Sequence, residues 1–304
     1  MLFRGTARAL HVVGLTARRA PVSKRIALAG GAISFGIAYF ADEKLGVHHH
    51  LDLLRARLIV QNETAPKSDD RVAGASSFKV DPDTEVRFPV SFIPTSPCPP
   101  LHLVGLGVRK VSFLRVKVYS AGFYIEESRI KNLHHVPGWH NFTALHLLTP
   151  PSPSGSDPLG APQMTGEALI KSLLDQSVSC AVRIVPVRST DFSHLRDGFT
   201  RALIARQKLA RTSGSITETE DARITESIQS LKSLFPSQKV PKGHSLSLVR
   251  TKGSLAVEYE GRPLGEVKDA WLAREMMLAY FADKDVISPK LKEDVAQGFE
   301  DLMK

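Results

Sequence analysis

Two neighbouring stretches decide the fold, GLGVR at residues 105–109 and VKVYSAGFYIE at residues 116–126. The second is rich in Val, Phe, Tyr and Ile, which are typical of β-strands. Continued back to Lys110, it predicts one unbroken strand with Arg115, Lys117 and Tyr119 on one face. Because neither face is purely polar, we expect the sheet to be covered on one side and to line a cleft on the other.

Outward from these stretches the pattern predicts further strands before a region of mixed helices and strands. Strands are predicted at residues 86–94, 141–149 and 180–188, and a hairpin at residues 245–260 with Gly253 available for a positive φ in its turn. Helices are predicted at residues 165–178, 191–210, 219–234, 268–282 and 289–303, and Asp191 is the expected N-cap of the second. This order favours an α+β fold, a large antiparallel sheet with helices packed on one face.

The first 25 residues are predicted to be a mitochondrial targeting segment. Six basic residues and no acidic one precede Asp42, interspersed with Leu, Val and Ala. The alternative is a basic tail without targeting function. Removing those six residues from the 40 basic ones leaves 34 against 31 acidic residues, so most of the net charge of +9 lies in this leader. The rest of the chain has no basic run of the kind that binds polyanions, and we expect no nucleic-acid partner.

Residues 26–41, IALAGGAISFGIAYFA, form a candidate transmembrane helix. The segment has no charge, and as a helix it would span about 24 Å, somewhat less than the hydrocarbon core. With the basic residues on the matrix side, an inner-membrane anchor here would leave the remaining chain in the intermembrane space. The alternative is that the segment is part of a longer, cleaved leader and that the protein is in the matrix. We expect a polar linker at residues 42–85 and the folded domain at residues 86–304.

The sequence predicts neither a metal site nor a familiar catalytic centre. Three adjacent histidines at residues 48–50 cannot all face one ion, and His134, His135, His140 and His146 lack the spacing of a metal cage. Cys180 is expected to be buried and unreactive at the start of a strand. GLG at residues 105–107 lacks the third glycine and the following helix of a dinucleotide-binding loop.

Taken in order, these stretches resemble the chalcone isomerase family. In that family a G-x-R turn precedes a long strand similar to residues 116–126, and the likeness continues through residues 188–203, the hairpin and the C-terminal helix. With its leader, the chain is most similar to the fungal mitochondrial members, the "altered inheritance of mitochondria" group. The resemblance implies an open-faced β-sandwich with a ligand cleft between the large sheet and its helices.

The resemblance also implies site residues. Arg109 matches the arginine that polarises the substrate in the plant enzymes, where a guanidinium supplies a charged planar fork of donors; from the residues alone, it could equally be a salt-bridged arginine at a strand start. Tyr119 stands where those enzymes carry a catalytic threonine. This replacement resembles the non-catalytic, fatty-acid-binding branch of the family.

We therefore expect a non-catalytic protein that binds a hydrophobic, acid-bearing ligand, with Arg109 and Tyr119 at the polar end of the cleft. The candidate ligands are a fatty acid and haem, whose propionates could meet the arginine. The alternative is an intramolecular lyase of the chalcone isomerase type, acting on an unsaturated carbonyl compound, with Arg109 as its catalytic residue.

Overall fold

The computed structural model of the protein describes residues 77–111, 114–151 and 164–304. The targeting segment, the candidate transmembrane helix at residues 26–41 and the three histidines at residues 48–50 lie outside the described residues. So does all of the expected linker except residues 77–85. Within the described ranges, no helix is both long and apolar enough to cross a membrane. These ranges belong to one compact unit, Asp70–Lys304.

A seven-stranded antiparallel sheet forms the centre of this unit, with the strand order β11-β10-β9-β6-β5-β4-β3. Two short pairs accompany it, β1 with β2 and β7 with β8. The strands are β1 Phe78–Val80, β2 Arg87–Pro89, β3 Ser91–Phe92, β4 Leu101–Val111, β5 Val116–Glu126, β6 Cys180–Pro186, β7 Thr190–Asp191, β8 Lys239–Val240, β9 Leu246–Arg250, β10 Leu255–Tyr259 and β11 Arg262–Val267.

A 3-10 helix and six α-helices are described beside the strands. The 3-10 helix, Glu127–His135, follows β5 directly. The α-helices are α1 Ala144–Leu148, α2 Glu167–Asp175, α3 Phe192–Thr212, α4 Glu218–Ser233, α5 Ala270–Leu278 and α6 Pro289–Leu302. Five of them fall on the five helices predicted from sequence. The α+β prediction, a large antiparallel sheet with helices on one face, is confirmed.

The two faces of the sheet bury separate hydrophobic clusters because side chains alternate along each strand. Phe123 and Val182 point to the face that the helices cover, together with Phe199 of α3 and Phe299 of α6. On the opposite face, Tyr124, Ala181 and Val249 pack with residues of the first strands, including Phe88 and Leu101. The longest strands are therefore buried on both sides, whereas the sequence pattern predicted cover on one side only. Burial of both faces explains why neither face of β5 is polar.

Helix α6 lies directly against β4. The two glycines of GLG permit this approach, because a Cβ at Gly105 or Gly107 would lie 2.6 Å from a backbone carbon of α6. Strand β3 pairs with only Leu101 and His102 of β4, and α6 supplies partners farther along the strand. Leu106 donates its backbone N–H to Asp294 at 2.9 Å, and the Ser288 hydroxyl donates to the Val108 carbonyl at 3.1 Å.

Several local predictions were wrong. Residues 141–149 contain α1 rather than a strand, with Thr143 as its N-cap. The long strand at residues 110–125 is in fact the end of β4, a connection and β5, and Arg115 in that connection has a φ of +51°. Gly253 is absent from the described residues with positive φ, so its turn does not use that freedom. The prediction of Asp191 as the N-cap of α3 is confirmed, although its side chain makes no capping hydrogen bond. The strand Phe78–Val80 pairs with β2, so the fold begins before Val86.

Candidate functional site

Arg109 and Tyr119 lie side by side on the helix-covered face of the sheet. They are direct cross-strand partners, Arg109 on β4 and Tyr119 on β5. Arg109 donates from Nη1 to the Tyr119 Oη at 3.4 Å, and its Cζ lies 5.8 Å from the centroid of the Tyr119 ring. Tyr119 is buried, whereas Arg109 is only partly so. The two residues singled out from sequence are therefore brought together by strand register.

Tyr280 completes the cluster, and no motif in the sequence marks it. It lies just beyond the C-terminal end of α5, and its Oη is 3.1 Å from the Tyr119 Oη. Its side chain is fully buried, and this burial, with the neighbouring Tyr119, raises the pKa of the Tyr280 phenol well above its ordinary value. Tyr280 therefore stays protonated at any physiological pH. Only the fold, which brings residues 161 positions apart into contact, reveals it.

The three polar groups lie next to an apolar interior. Phe281, which follows Tyr280, packs edge to face on Phe123 with ring centroids 4.8 Å apart. Trp139 packs in the same way on Phe299 at 4.8 Å. A guanidinium and two phenols thus stand at the margin of an aromatic cluster between the sheet and the helices. All three can donate a hydrogen bond, and a carboxylate or carbonyl oxygen can accept from them.

The strand that carries Arg109 is held in place by α6. Ser288 is the N-cap of α6: its hydroxyl oxygen accepts from Leu291 N–H at 3.3 Å while it donates to the Val108 carbonyl. Gly107, two residues before Arg109, leaves room for the first turn of this helix. In the G-x-G-x-R stretch, the glycines therefore let α6 pack on β4, and the arginine belongs to the site.

His146 and Cys180 were not expected to form a metal or catalytic site, and in the described part of the chain they have structural roles. No group of histidine, cysteine and carboxylate side chains there could hold a metal ion. His146 accepts a hydrogen bond from Thr143 N–H at 3.1 Å and stabilises the start of α1. Cys180 is fully buried at the start of β6, and burial raises the pKa of its thiol to about 12. This confirms the prediction that Cys180 is buried at the start of a strand, and its lack of reactivity stays a prediction.

A cavity lies beside the 3-10 helix, apart from the arginine–tyrosine cluster. It has a volume of about 140 Å³, with Arg129, Asn132, His135 and Gln176 among its lining residues. Leu133, one of its apolar lining residues, is only 1% exposed. Because charged and polar side chains make up half of its lining, this cavity is a poor candidate for the hydrophobic site.

Fold and site together define a class, an antiparallel sheet under helices with an arginine–tyrosine cluster facing the interior between them. A family model described as chalcone isomerase like matches residues 99–296. This range is well over half of the chain and contains Arg109, Tyr119 and Tyr280. The chain therefore belongs to the chalcone isomerase-like family.

Known relatives refine this placement. Proteins named "Altered inheritance of mitochondria protein 18, mitochondrial" are similar over most of the folded part. The one from Debaryomyces hansenii is 29% identical over 215 residues, 65% of this chain and 66% of that relative. The one from Kluyveromyces lactis is 26% identical over 247 residues, 77% of this chain and 74% of that relative. The sequence-based resemblance to the fungal mitochondrial group is thus confirmed, and the relatives carry a mitochondrial name.

A solved structure shows the same fold. The crystal structure of a fatty-acid binding protein from Arabidopsis thaliana superposes with a TM-score of 0.54. The match covers 75% of this chain and 99% of the plant protein's chain, at 21% sequence identity. At this level of identity the likeness supports the fold, and the ligand named for the plant protein is a property of that protein.

Proposed function

We propose that this protein is a non-catalytic binding protein for a hydrophobic, acid-bearing ligand, a fatty acid in the first instance. The observation that carries the proposal is the cluster of Arg109, Tyr119 and Tyr280, three donors linked by contacts of 3.4 and 3.1 Å beside an apolar interior. A ligand carboxylate would accept from these donors, and its acyl chain would lie between the sheet and the helices. The name of the plant structural neighbour gives independent support for this ligand class.

Tyr119 favours binding over catalysis. The plant enzymes of the family carry a threonine at the matching position, and the Tyr119 phenol fills the space where a flavonoid ring would lie. Its oxygen contacts Tyr280 rather than standing alone as a compact hydroxyl at the substrate. We therefore expect chalcones to cyclise no faster with the purified protein than without it. Rapid, stereoselective flavanone formation would overturn the binding function.

For the cellular setting, we propose a mitochondrial protein anchored in the inner membrane through residues 26–41 and facing the intermembrane space. The acid-free leader and the uncharged segment behind it support this arrangement. Protease added to mitoplasts should then degrade the domain, while intact mitochondria protect it. Protection in mitoplasts would assign the protein to the matrix instead.

The ligand proposal is tested by binding of oleate to the purified protein and to its variants. Arg109→Ala removes charge-assisted hydrogen bonds, which contribute about 1.5–3 kcal/mol, and should weaken binding roughly ten- to a hundredfold. Arg109→Lys should also lose affinity, because an ammonium lacks the bidentate fork. Both variants should fold, since the side chain is partly exposed and fills no core volume.

Arg183→Ala is the matched control. Arg183 also belongs to the central sheet, and its Cζ lies 5.7 Å from the ring centroid of Phe92, much as Arg109 lies over Tyr119. It points to the opposite face of the sheet, so its loss should leave oleate affinity unchanged. Equal losses in the Arg109 and Arg183 variants, or none in either, would contradict the proposed site. An absorption spectrum with added haemin tests the other ligand: tight binding of haemin that depends on Arg109, without binding of oleate, would replace the fatty acid by haem.

A further inference from the structure

The connection between β4 and β5 is a basic end of the sheet with an apolar side chain exposed on it. Leu114 lies in this connection and is 64% exposed, as much as any apolar side chain that the structure describes except Leu145 and Leu209. Arg115 follows it and is exposed, and Lys110 and Lys117 flank it on the two strands. An apolar residue framed by cations is typical of a surface that meets a membrane interface.

Neighbouring loops add to the positive charge at this end. Val187 donates its backbone N–H to Val118 at 3.2 Å, and Gly243 donates to Pro186 at 3.0 Å. These bonds hold the exposed side chains of Arg188 and Lys242, each next to a bonded residue, at the same end of the sheet.

The acidic residues at this end are fewer. Asp83 contacts both strand lysines, with Nζ–Oδ distances of 3.4 Å to Lys110 and 3.8 Å to Lys117. Asp81 and Glu85 are the other carboxylates of the β1–β2 turn, and Asp81 is buried, where it accepts hydrogen bonds from Thr84 and Ser120. These segments therefore carry five cationic side chains and three carboxylates. One carboxylate shared by two lysines cannot neutralise both, so the end keeps a net positive charge.

We propose that this β4–β5 end, defined by Lys110, Leu114, Arg115 and Lys117, docks on an anionic phospholipid surface. Leu114 enters the interfacial region, and the cations contact lipid phosphates. Charge complementarity selects an anionic bilayer over a neutral one. This contact is separate from the candidate anchor at residues 26–41 and from the ligand cluster, because it uses none of their residues.

The contact would also orient the domain. Leu114 is five residues from Arg109 in one direction and five from Tyr119 in the other, so the polar end of the ligand site would face the bilayer. At about 3.3 Å per strand residue, that spacing is roughly 17 Å at most. A hydrophobic acid leaving the membrane would therefore meet Arg109 and Tyr119 within about 17 Å of the contact.

Sedimentation with vesicles tests the docking. Residues 70–304 form a compact unit with its own core, so this part is suited to an assay without residues 26–41. It should bind vesicles of phosphatidylcholine with phosphatidylglycerol and not vesicles of phosphatidylcholine alone. Leu114→Gln should weaken binding roughly tenfold, and Arg115→Gln roughly fivefold, since each cation near an anionic surface contributes about that factor. Higher salt should weaken binding further.

Two controls match these variants. Ile93→Gln changes a side chain that is also 64% exposed, in a stretch of residues 91–100 without a charge. Arg201→Gln removes an exposed arginine on α3. Both should bind within twofold of the parent protein. Equal losses in the variants and their controls, or no binding of the parent to anionic vesicles, would overturn the proposal.

If the shorter chain fails to show a cooperative thermal transition, the docking is tested on the full chain by fluorescence. A solvent-sensitive fluorophore is attached at residue 114 or residue 93 in a Cys98→Ser background. Anionic vesicles should shift the emission of the probe at 114 to the blue and leave the probe at 93 unchanged. The same emission from both probes would exclude a specific contact at the β4–β5 end.

Discussion

Gly298→Ala and Gly198→Ala form a pair of identical changes for which the structure predicts opposite effects on stability. Both glycines lie inside helices, Gly298 in α6 and Gly198 in α3. An alanine in a helix interior is favoured over glycine by roughly 0.5–1 kcal/mol. A Cβ at Gly198 would have no atom within 4 Å, so this variant should gain that amount.

At Gly298 the same methyl group meets β4. Its Cβ would lie 2.8 Å from the carbonyl carbon of Val104 and closer still to the oxygen. Carbon atoms in contact are normally about 3.5–4.0 Å apart, so the helix and the strand must separate by roughly 0.7 Å or more. Both partners are backbone and cannot rotate away. Overpacking of this kind costs about 1–3 kcal/mol, which exceeds the gain in helix propensity.

The net expectation for Gly298→Ala is a loss of about 1–1.5 kcal/mol, the overpacking cost of about 2 kcal/mol less the gain in helix propensity. For a domain of this size, 1 kcal/mol moves the melting temperature by about 2–4 °C. Thermal unfolding followed by circular dichroism should therefore show Gly298→Ala melting roughly 2–6 °C below the parent and Gly198→Ala up to about 4 °C above it. If Gly298→Ala melted at or above the parent temperature, the close contact between α6 and β4 would be refuted.

Two further predictions concern single side chains. Burial raises the pKa of the Cys98 thiol to about 11, so at pH 8 only about 0.1% of it is thiolate. Alkylation of Cys98 should therefore be roughly a hundredfold slower than alkylation of a free thiol, and should accelerate about tenfold per pH unit toward pH 11. The loss of free thiol over time measures this rate. A rate that levels off near pH 9 would contradict this environment. Asp269→Ala removes a buried N-cap that accepts from Leu272 N–H at 2.9 Å and also pairs with Arg223 and accepts from the Ser227 hydroxyl; loss of the cap alone should lower the melting temperature by about 1–8 °C. Asp191→Ala, at an N-cap without a side-chain hydrogen bond, should leave it nearly unchanged, and equal shifts would show that capping is not the cause.

The helices and the hairpin could be predicted from sequence because their patterns are local. The apolar stripe Phe192, Leu195, Phe199 and Leu203 defines α3, and all four are buried. The error at residues 141–149 has a local cause as well. The β-favouring and apolar residues of this stretch suggested a strand, but Thr143 and His146 form a capping box that starts a short helix.

Only the part of the candidate site that depends on strand pairing could be predicted from the sequence. Arg109 and Tyr119 are close in sequence, and the antiparallel pairing of β4 and β5 makes them neighbours. Tyr280 comes from the connection between α5 and α6, where no periodicity or motif marks it. A contact of this kind depends on how the helices pack on the sheet, which single-sequence patterns do not encode.

Packing of α6 also links the stability of the fold to the geometry of the site. Tyr280 and α6 are joined by a short connection, in which Ile287 donates its N–H to the Ala279 carbonyl at 3.1 Å. The start of α6 is fixed on β4 through Ser288 and Val108, next to Arg109. A shift of α6 would therefore move Tyr280 and the end of β4 together. The glycines of G-x-G-x-R place no atom in the site, yet they set the distance between the strand that carries Arg109 and the helix whose approach positions Tyr280.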